Sequence, residues 1–144
     1  MFKRIMTVCI GNICRSPTAE YLLRQRLASR DIELCSAGLG AVVDHPMDAT
    51  ALQVLAEHGV DGAAHRARQL TVAMLREADL VLGMEKRHVD AMIGMAPEAS
   101  GKIFMLDKWL QGRDIPDPYR QQRAAFDHVH RMITQGIDSW LPYL

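Results

Sequence analysis

The sequence predicts an α/β fold: one domain over residues 1–144, with a central four-stranded, mostly parallel sheet and helices on both faces. Three observations predict it. Short apolar, β-branched runs alternate with stretches whose apolar residues recur every three or four positions. The order reads strand, helix, strand, helix, helix, strand, helix, strand, helix, the alternation that parallel strands joined by crossovers require. The chain of 144 residues, 49% hydrophobic and 24% charged, is long enough for one core without staples.

"RIMTVCI" (4–10) is apolar and β-branched and stops at Gly11-Asn12, so it reads as a buried strand followed by a loop. Ser16-Pro17 reads as a helix start, Ser as N-cap and Pro at the first helical position. Ala19, Leu22, Leu23 and Leu27 then form one apolar face. "IELCSAG" (32–38) is the second strand, with Cys35 in its core. Asp48 to His58 is a helix carrying Leu52 and Leu55 and stopping at Gly59, and 71–78 is another. "DLVLGM" (79–84) is the third strand, 85–93 a helix stopped by Gly94, and "KIFML" (102–106) the fourth strand. Phe126, Val129, Ile133, Ile137, Trp140 and Leu141 mark a long amphipathic last helix.

The totals exclude several classes. Lys+Arg 17 balance Asp+Glu 17, so no global field recruits nucleic acid or an anionic membrane. Three cysteines, an odd number, argue against a disulfide scaffold. The opening apolar run is broken by Thr7 and ends at Gly11, too short for a signal peptide or a membrane span. The expectation is a cytoplasmic protein without stable membrane insertion.

The loop after the first strand, "VCIGNICRSPTAE" (8–20), carries the chemistry. A metal clip needs three or four ligands, and the six histidines offer no cluster near Cys9 and Cys14. A loop between strand and helix can instead turn its N–H groups inward as an anion nest, helped by the helix N-terminus. Gly11 would ease the turn, and Arg15 would add a planar fork for two anion oxygens. A cysteine held at the centre of such a nest, here Cys9, would be the nucleophile. The bare Cys-x5-Arg spacing arises by chance about one time in four in a chain of this composition; a following Ser or Thr lowers that to roughly one in fifty. The plain alternative is a buried Cys beside a surface Arg. The departing oxide of a phosphoryl transfer needs an acid, and Asp117, stiffened by Pro116 and Pro118, is the candidate; on its own, Asp-Pro is more often only a turn.

"CIGNICRSPTAE", "SAG" (36–38), "HRARQL" (65–70), "ADLVLGME" (78–85) and "PDPY" (116–119) together resemble the low-molecular-weight protein tyrosine phosphatases, across essentially the whole chain. "SAGLGA", "MEKRH" and "APE" are most similar to the bacterial branch that accompanies tyrosine autokinases of exopolysaccharide export. The resemblance implies a hydrolase acting on a phosphotyrosine protein, such as an autokinase, through a phosphocysteine on Cys9. Arg15 and the backbone of Ile10, Gly11, Asn12, Ile13, Cys14 and Arg15 would hold the phosphate, and Asp117 would be acid and then base. Ser16 would donate to the Cys9 sulfur. Asn12, Ser36 and His65 would brace the loop; read alone, His65 is a surface histidine, Ser36 a strand-end serine and Asn12 a turn residue. Ile10, Ile13, Leu39 and Tyr119 would wall the pocket, with Arg120 where some relatives carry a second aromatic. Cys14 would be a redox partner for Cys9; read alone, it is filler against the first helix. No metal or organic cofactor is implied, and the oligomeric state is not legible.

Two rivals remain in view. A phosphate carrier or phosphotyrosine-binding module would lack both Arg15 and Asp117. An arsenate reductase, which shares the fold, would need a cysteine relay downstream, and no Cys follows Cys35.

Overall fold

The first apolar run forms β1 (Arg4–Cys9), joined by β2 (Glu33–Gly38), β3 (Leu80–Gly83) and β4 (Ile103–Met105) in one sheet of order β2-β1-β3-β4, every pair parallel. The computed structural model describes residues 2–144. Five α-helices alternate with the strands: α1 (Arg15–Arg26), α2 (Ala49–Glu57), α3 (Val72–Glu77), α4 (Lys86–Met95) and α5 (Arg123–Trp140).

The period-2 alternation of β1 decides which side chain meets which layer. Ile5 and Cys9 face one way, into a core shared with Leu22 and Leu23 of α1, Leu55 of α2 and Ile133 of α5. Met6 and Val8 face the other way, toward Leu75 of α3, Met92 of α4 and Ile103. The chain passes from β1 to β2 on one side and then crosses to β3 on the other. That reversal opens a crevice at the carboxyl end of β1, where open α/β sheets bind ligands. Cys9 pairs in register with Gly38 at that edge. A Cβ on Gly38 would lie 2.3 Å from the Ile10 carbonyl oxygen, so only glycine lets the loop after β1 cross β2 so closely.

Side-chain caps place two helices as their sequences suggest. Asp48 accepts from the Thr50 and Ala51 amides to start α2, and Thr71 accepts from Met74 to start α3. α1 departs from expectation. It begins at Arg15, and Ser16 lies inside its first turn rather than capping it. The Ser16 hydroxyl is diverted to the Cys9 sulfur, and Pro17 falls where an N–H has no intrahelical partner anyway. α4 also runs past Gly94 to Met95, because Gly94 does not take the left-handed φ that would end the helix; a short 3-10 helix, Pro97–Lys102, follows. Among the described residues no helix is long and apolar enough to cross a membrane.

Candidate active site

The loop from Cys9 to Arg15 turns every carbonyl outward. The Cys9, Ile10 and Gly11 oxygens accept from the Leu39, Gly40 and Val42 amides at 2.9, 3.0 and 3.0 Å. The Asn12 oxygen lies 2.6 Å from Nε2 of the buried His65, and the Ile13 oxygen accepts from the Asp48 amide at 2.8 Å. The Cys14 oxygen accepts from the Thr18 amide and hydroxyl at 3.2 and 2.7 Å. Among the described residues, no N–H from Ile10 to Arg15 is donated to another protein atom. Backbone donors left unspent in a concave turn form a site of positive potential.

The left-handed residue that curls the loop is Asn12, at φ 59°, and not the expected Gly11, whose φ is not positive and around which a Cβ would find room. Asn12 is fully buried and spends its whole amide: Nδ2 donates to Ser16 Oγ at 2.8 Å and to Ser36 Oγ at 3.0 Å, while Oδ1 accepts from the Arg68 amide at 2.9 Å. These donations set hydroxyl directions. Ser36 turns its proton to the buried Glu20 carboxylate at 2.7 Å, and Ser16 is left to turn its own toward Cys9 Sγ, 2.9 Å away. Thr7 pins this corner by donating to the Ser16 carbonyl at 2.8 Å.

Arg15 is buried and divided in function by its edges. Nη1 donates to Glu85 Oε2 at 2.5 Å and to the Ile115 carbonyl at 2.9 Å. Nε and Nη2 donate to no protein acceptor among the described residues, which leaves one flat edge suited to two anion oxygens. Asp117 Oδ2 lies 3.9 Å from Nη2. Its other oxygen accepts from the Tyr119 amide at 3.0 Å, and the side chain stands 49% exposed. Burial pushes the Glu85 carboxyl up, but hydrogen bonds from Arg87 and Arg15 outweigh it and hold the group below its ordinary range.

Cys9, Ile10, Gly11, Asn12, Ile13, Cys14 and Arg15 floor a cleft of about 220 Å³, closed by Gly40, Val42, Asp117 and Tyr119. Leu39 was expected in this wall and is not there. Its half-buried side chain packs against the core on the other face of the sheet, and Val42 takes the wall position. Leu39 continues the alternation of Cys35 and Ala37, which puts its side chain on that face while its amide still donates to Cys9. The Arg120 guanidinium stands 5.3 Å over the Tyr119 ring, at a left-handed φ of 63°. Cys14 is buried in the floor; burial, then Asp48 and Cys9, push its thiol well above the ordinary range. Cys35, expected as core, is only half-buried at the periphery. Among the described residues, no three His, Cys, Asp or Glu side chains are grouped to hold a metal ion.

Glu85, Glu20, Thr7 and the Arg68 amide were missed in the sequence. Glu85 and Arg15 are 70 residues apart, and although "ADLVLGME" and "MEKRH" both contain Glu85, neither shows that the two meet.

Comparison with known proteins places the whole chain. The family model described as "Low molecular weight phosphotyrosine protein phosphatase" matches residues 4–144. The chain is 45% identical to the low molecular weight protein-tyrosine-phosphatase Etp of Escherichia coli K12, over 96% of this chain and 93% of that protein. It is also 45% identical to the probable low molecular weight protein-tyrosine-phosphatase EpsP of Ralstonia solanacearum, over 99% and 96%. In structure it is similar to Vibrio vulnificus Wzb in complex with benzylphosphonate, with TM-score 0.94, 41% identity and 100% of both chains covered.

Proposed function

This chain belongs to the low molecular weight phosphotyrosine protein phosphatase family, and from that premise we propose that it hydrolyses phosphotyrosine through a phosphocysteine on Cys9. The observation that carries the reading is the loop of outward carbonyls and unspent N–H groups around the Cys9 sulfur, with the free edge of Arg15 beside it.

In the first step the Cys9 thiolate attacks phosphorus as the bond to the tyrosyl oxygen breaks. Charge spreads over three equatorial oxygens, which the loop amides and the Arg15 Nε–Nη2 edge receive. Protonated Asp117 gives its proton to the departing oxygen, so that tyrosine leaves neutral. Oδ2 suits this task, because Oδ1 is tied to the Tyr119 amide. In the second step Asp117 takes a proton from water as that water attacks the phosphocysteine. The sulfur leaves as thiolate, with the Ser16 hydroxyl donating to it across 2.9 Å. Tyr119, Val42, Ile10 and Ile13 offer the substrate ring an apolar wall.

The finer assignments are proposals of the same kind. An aromatic phosphonate bound to a relative of 41% identity supports an aryl phosphate as the substrate class. The partner is a phosphotyrosine protein, and the resemblance of "SAGLGA", "MEKRH" and "APE" to the autokinase-associated branch supports a tyrosine autokinase of polysaccharide export. A cytoplasmic place fits such a partner. Cys14, adjoining the same cleft, is the thiol that would trap an oxidised Cys9 as a disulfide.

The test is phosphate release from p-nitrophenyl phosphate and from peptide phosphotyrosine, without added metal. Cys9→Ser should fall to the uncatalysed background. Asp117→Ala should lose about 10²–10³ in kcat for poor leaving groups and less for p-nitrophenolate. An active Cys9→Ser protein, or an Asp117→Ala loss independent of the leaving group, overturns the mechanism.

A further inference from the structure

We propose that His88 is a positioning residue for Arg15: its Nε2, 3.4 Å from the Glu85 carboxylate, keeps Glu85 turned inward so that Arg15 presents its Nε–Nη2 edge to the reacting phosphoryl group. The inference rests on the phosphatase reading above. His88 is fully buried in the first turn of α4. Its Nδ1 accepts from the Glu85 amide at 3.2 Å, so the proton of the neutral ring sits on Nε2. Nε2 has no hydrogen-bond partner among the described residues. The nearby acceptor is Glu85 Oε2 at 3.4 Å, the same oxygen that binds Arg15. A buried N–H left short of a full hydrogen bond is costly, and it is kept here beside the carboxylate that sets the arginine.

Glu85 needs such a hold because a second arginine competes for it. Arg87, 69% exposed, donates through Nε to Glu85 Oε1 at 2.9 Å and draws the carboxylate toward solvent. Val89, Met92 and the His88 Cβ lie close over Gly83, which fixes the first turn of α4 on the end of β3. The charged groups around the ring are Arg15, Glu85, Arg87 and Asp114. If Glu85 swings out, Arg15 loses the partner that commits Nη1 away from substrate, and its fork can turn off the equatorial oxygens. That loss falls on the transition state more than on substrate binding.

The test is steady-state hydrolysis of p-nitrophenyl phosphate, with Tm, for wild type, His88→Asn, His88→Gln, Glu85→Gln and the His88→Asn/Glu85→Gln pair. Asn supplies an oxygen near the Nδ1 position and nothing at Nε2; Gln carries an N–H out to the Nε2 position. His88→Asn should lower kcat about tenfold with KM within about twofold, and His88→Gln should keep at least about half of kcat. Glu85→Gln should lower kcat about tenfold, and His88→Asn should add nothing to it. Equal losses in Asn and Gln, losses that follow Tm alone, or additive losses in the pair overturn the proposal. If His88→Asn does not fold, Glu85→Gln and His88→Gln decide alone, since the first must lose kcat and the second must not. A wild type without metal-free turnover would show instead that the phosphatase reading fails, and the positioning role falls with it.

Discussion

Two loops meet at the cleft, and they are built in opposite ways. The loop from Cys9 to Arg15 is buried at most positions, and its carbonyls from Cys9 to Ile13 are each tied to a neighbouring segment. The loop carrying Asp117 is anchored at two apolar points, buried Ile115 and Pro118, and exposes the carboxylate between them. The difference suits the chemistry proposed for each. Donors that stabilise developing charge work best when they need not reorganise at the moment of reaction. An acid that must reload its proton from water has to face solvent. One loop is therefore held by bonds along its length, and the other only around Ile115 and Pro118, where packing and backbone bonds meet.

Deleting an amide side chain from the first loop should break that contrast most. Asn12→Ala removes the donors to Ser16 and Ser36 and the acceptor for the Arg68 amide, and it puts alanine at φ 59°. Several buried groups lose partners at about 1–3 kcal/mol each, before the strain of the left-handed backbone is added. We expect a loss of roughly 3–4 kcal/mol in urea unfolding and a fall of about 10–100-fold in kcat. A variant within 1 kcal/mol of wild type would show that the brace is redundant.

How much of this was legible tracks how local each signal is. β1, the cradle and α1 lie within one continuous stretch, and strand run, glycine, Cys-x5-Arg-Ser and helical stripe all describe it. The parallel sheet followed from alternation. The ties that shape the cradle were not legible, because they come from residues 39–48 and from His65 and Arg68, brought in only by folding. Leu39 illustrates the limit. Its place in the sequence puts it beside the pocket, yet its amide and not its side chain serves the site. His65 looked like a surface residue because its burial depends on contact with Asn12, 53 positions away. Resemblance supplied its role; spacing could not.

Acid offers a second, milder way to separate the two sides. His88 lies beneath Arg15, and burial, then the Arg15 charge, lowers it to about 4. His130, stacked on His58 with centroids 4.1 Å apart, is lowered to about 4 by burial and then by His58. Both are neutral when folded, whereas the unfolded chain takes up their protons below about 6.5. Their stabilisation is complete above that pH, drains away as pH falls toward 4 and then levels off. Each can remove at most about 1.4 kcal/mol per pH unit in that window. Urea midpoints at pH 7.5, 6 and 5 should fall, and His130→Gln should flatten the slope. Midpoints that stay constant down to pH 5 would mean that neither ring is held neutral by the fold.

The smallest effect should come from the matching deletion in the acid loop. Gln121 is exposed, and its amide donates one long bond, 3.3 Å, to the Asp117 carbonyl. Its backbone N–H bonds to the Pro118 carbonyl at 2.9 Å, and truncation leaves that bond in place. Gln121→Ala removes a solvent-exposed contact from a group that water can satisfy at once, so the cost should stay within about 0.5 kcal/mol. Neither Asp117 nor its tie to the Tyr119 amide is touched. Turnover of p-nitrophenyl phosphate should then remain within about twofold of wild type. A loss as large as that of Asn12→Ala would place the acid loop, too, under a fixed hydrogen-bonded frame, and the division between a held cradle and a packed, solvent-facing acid would no longer describe the site.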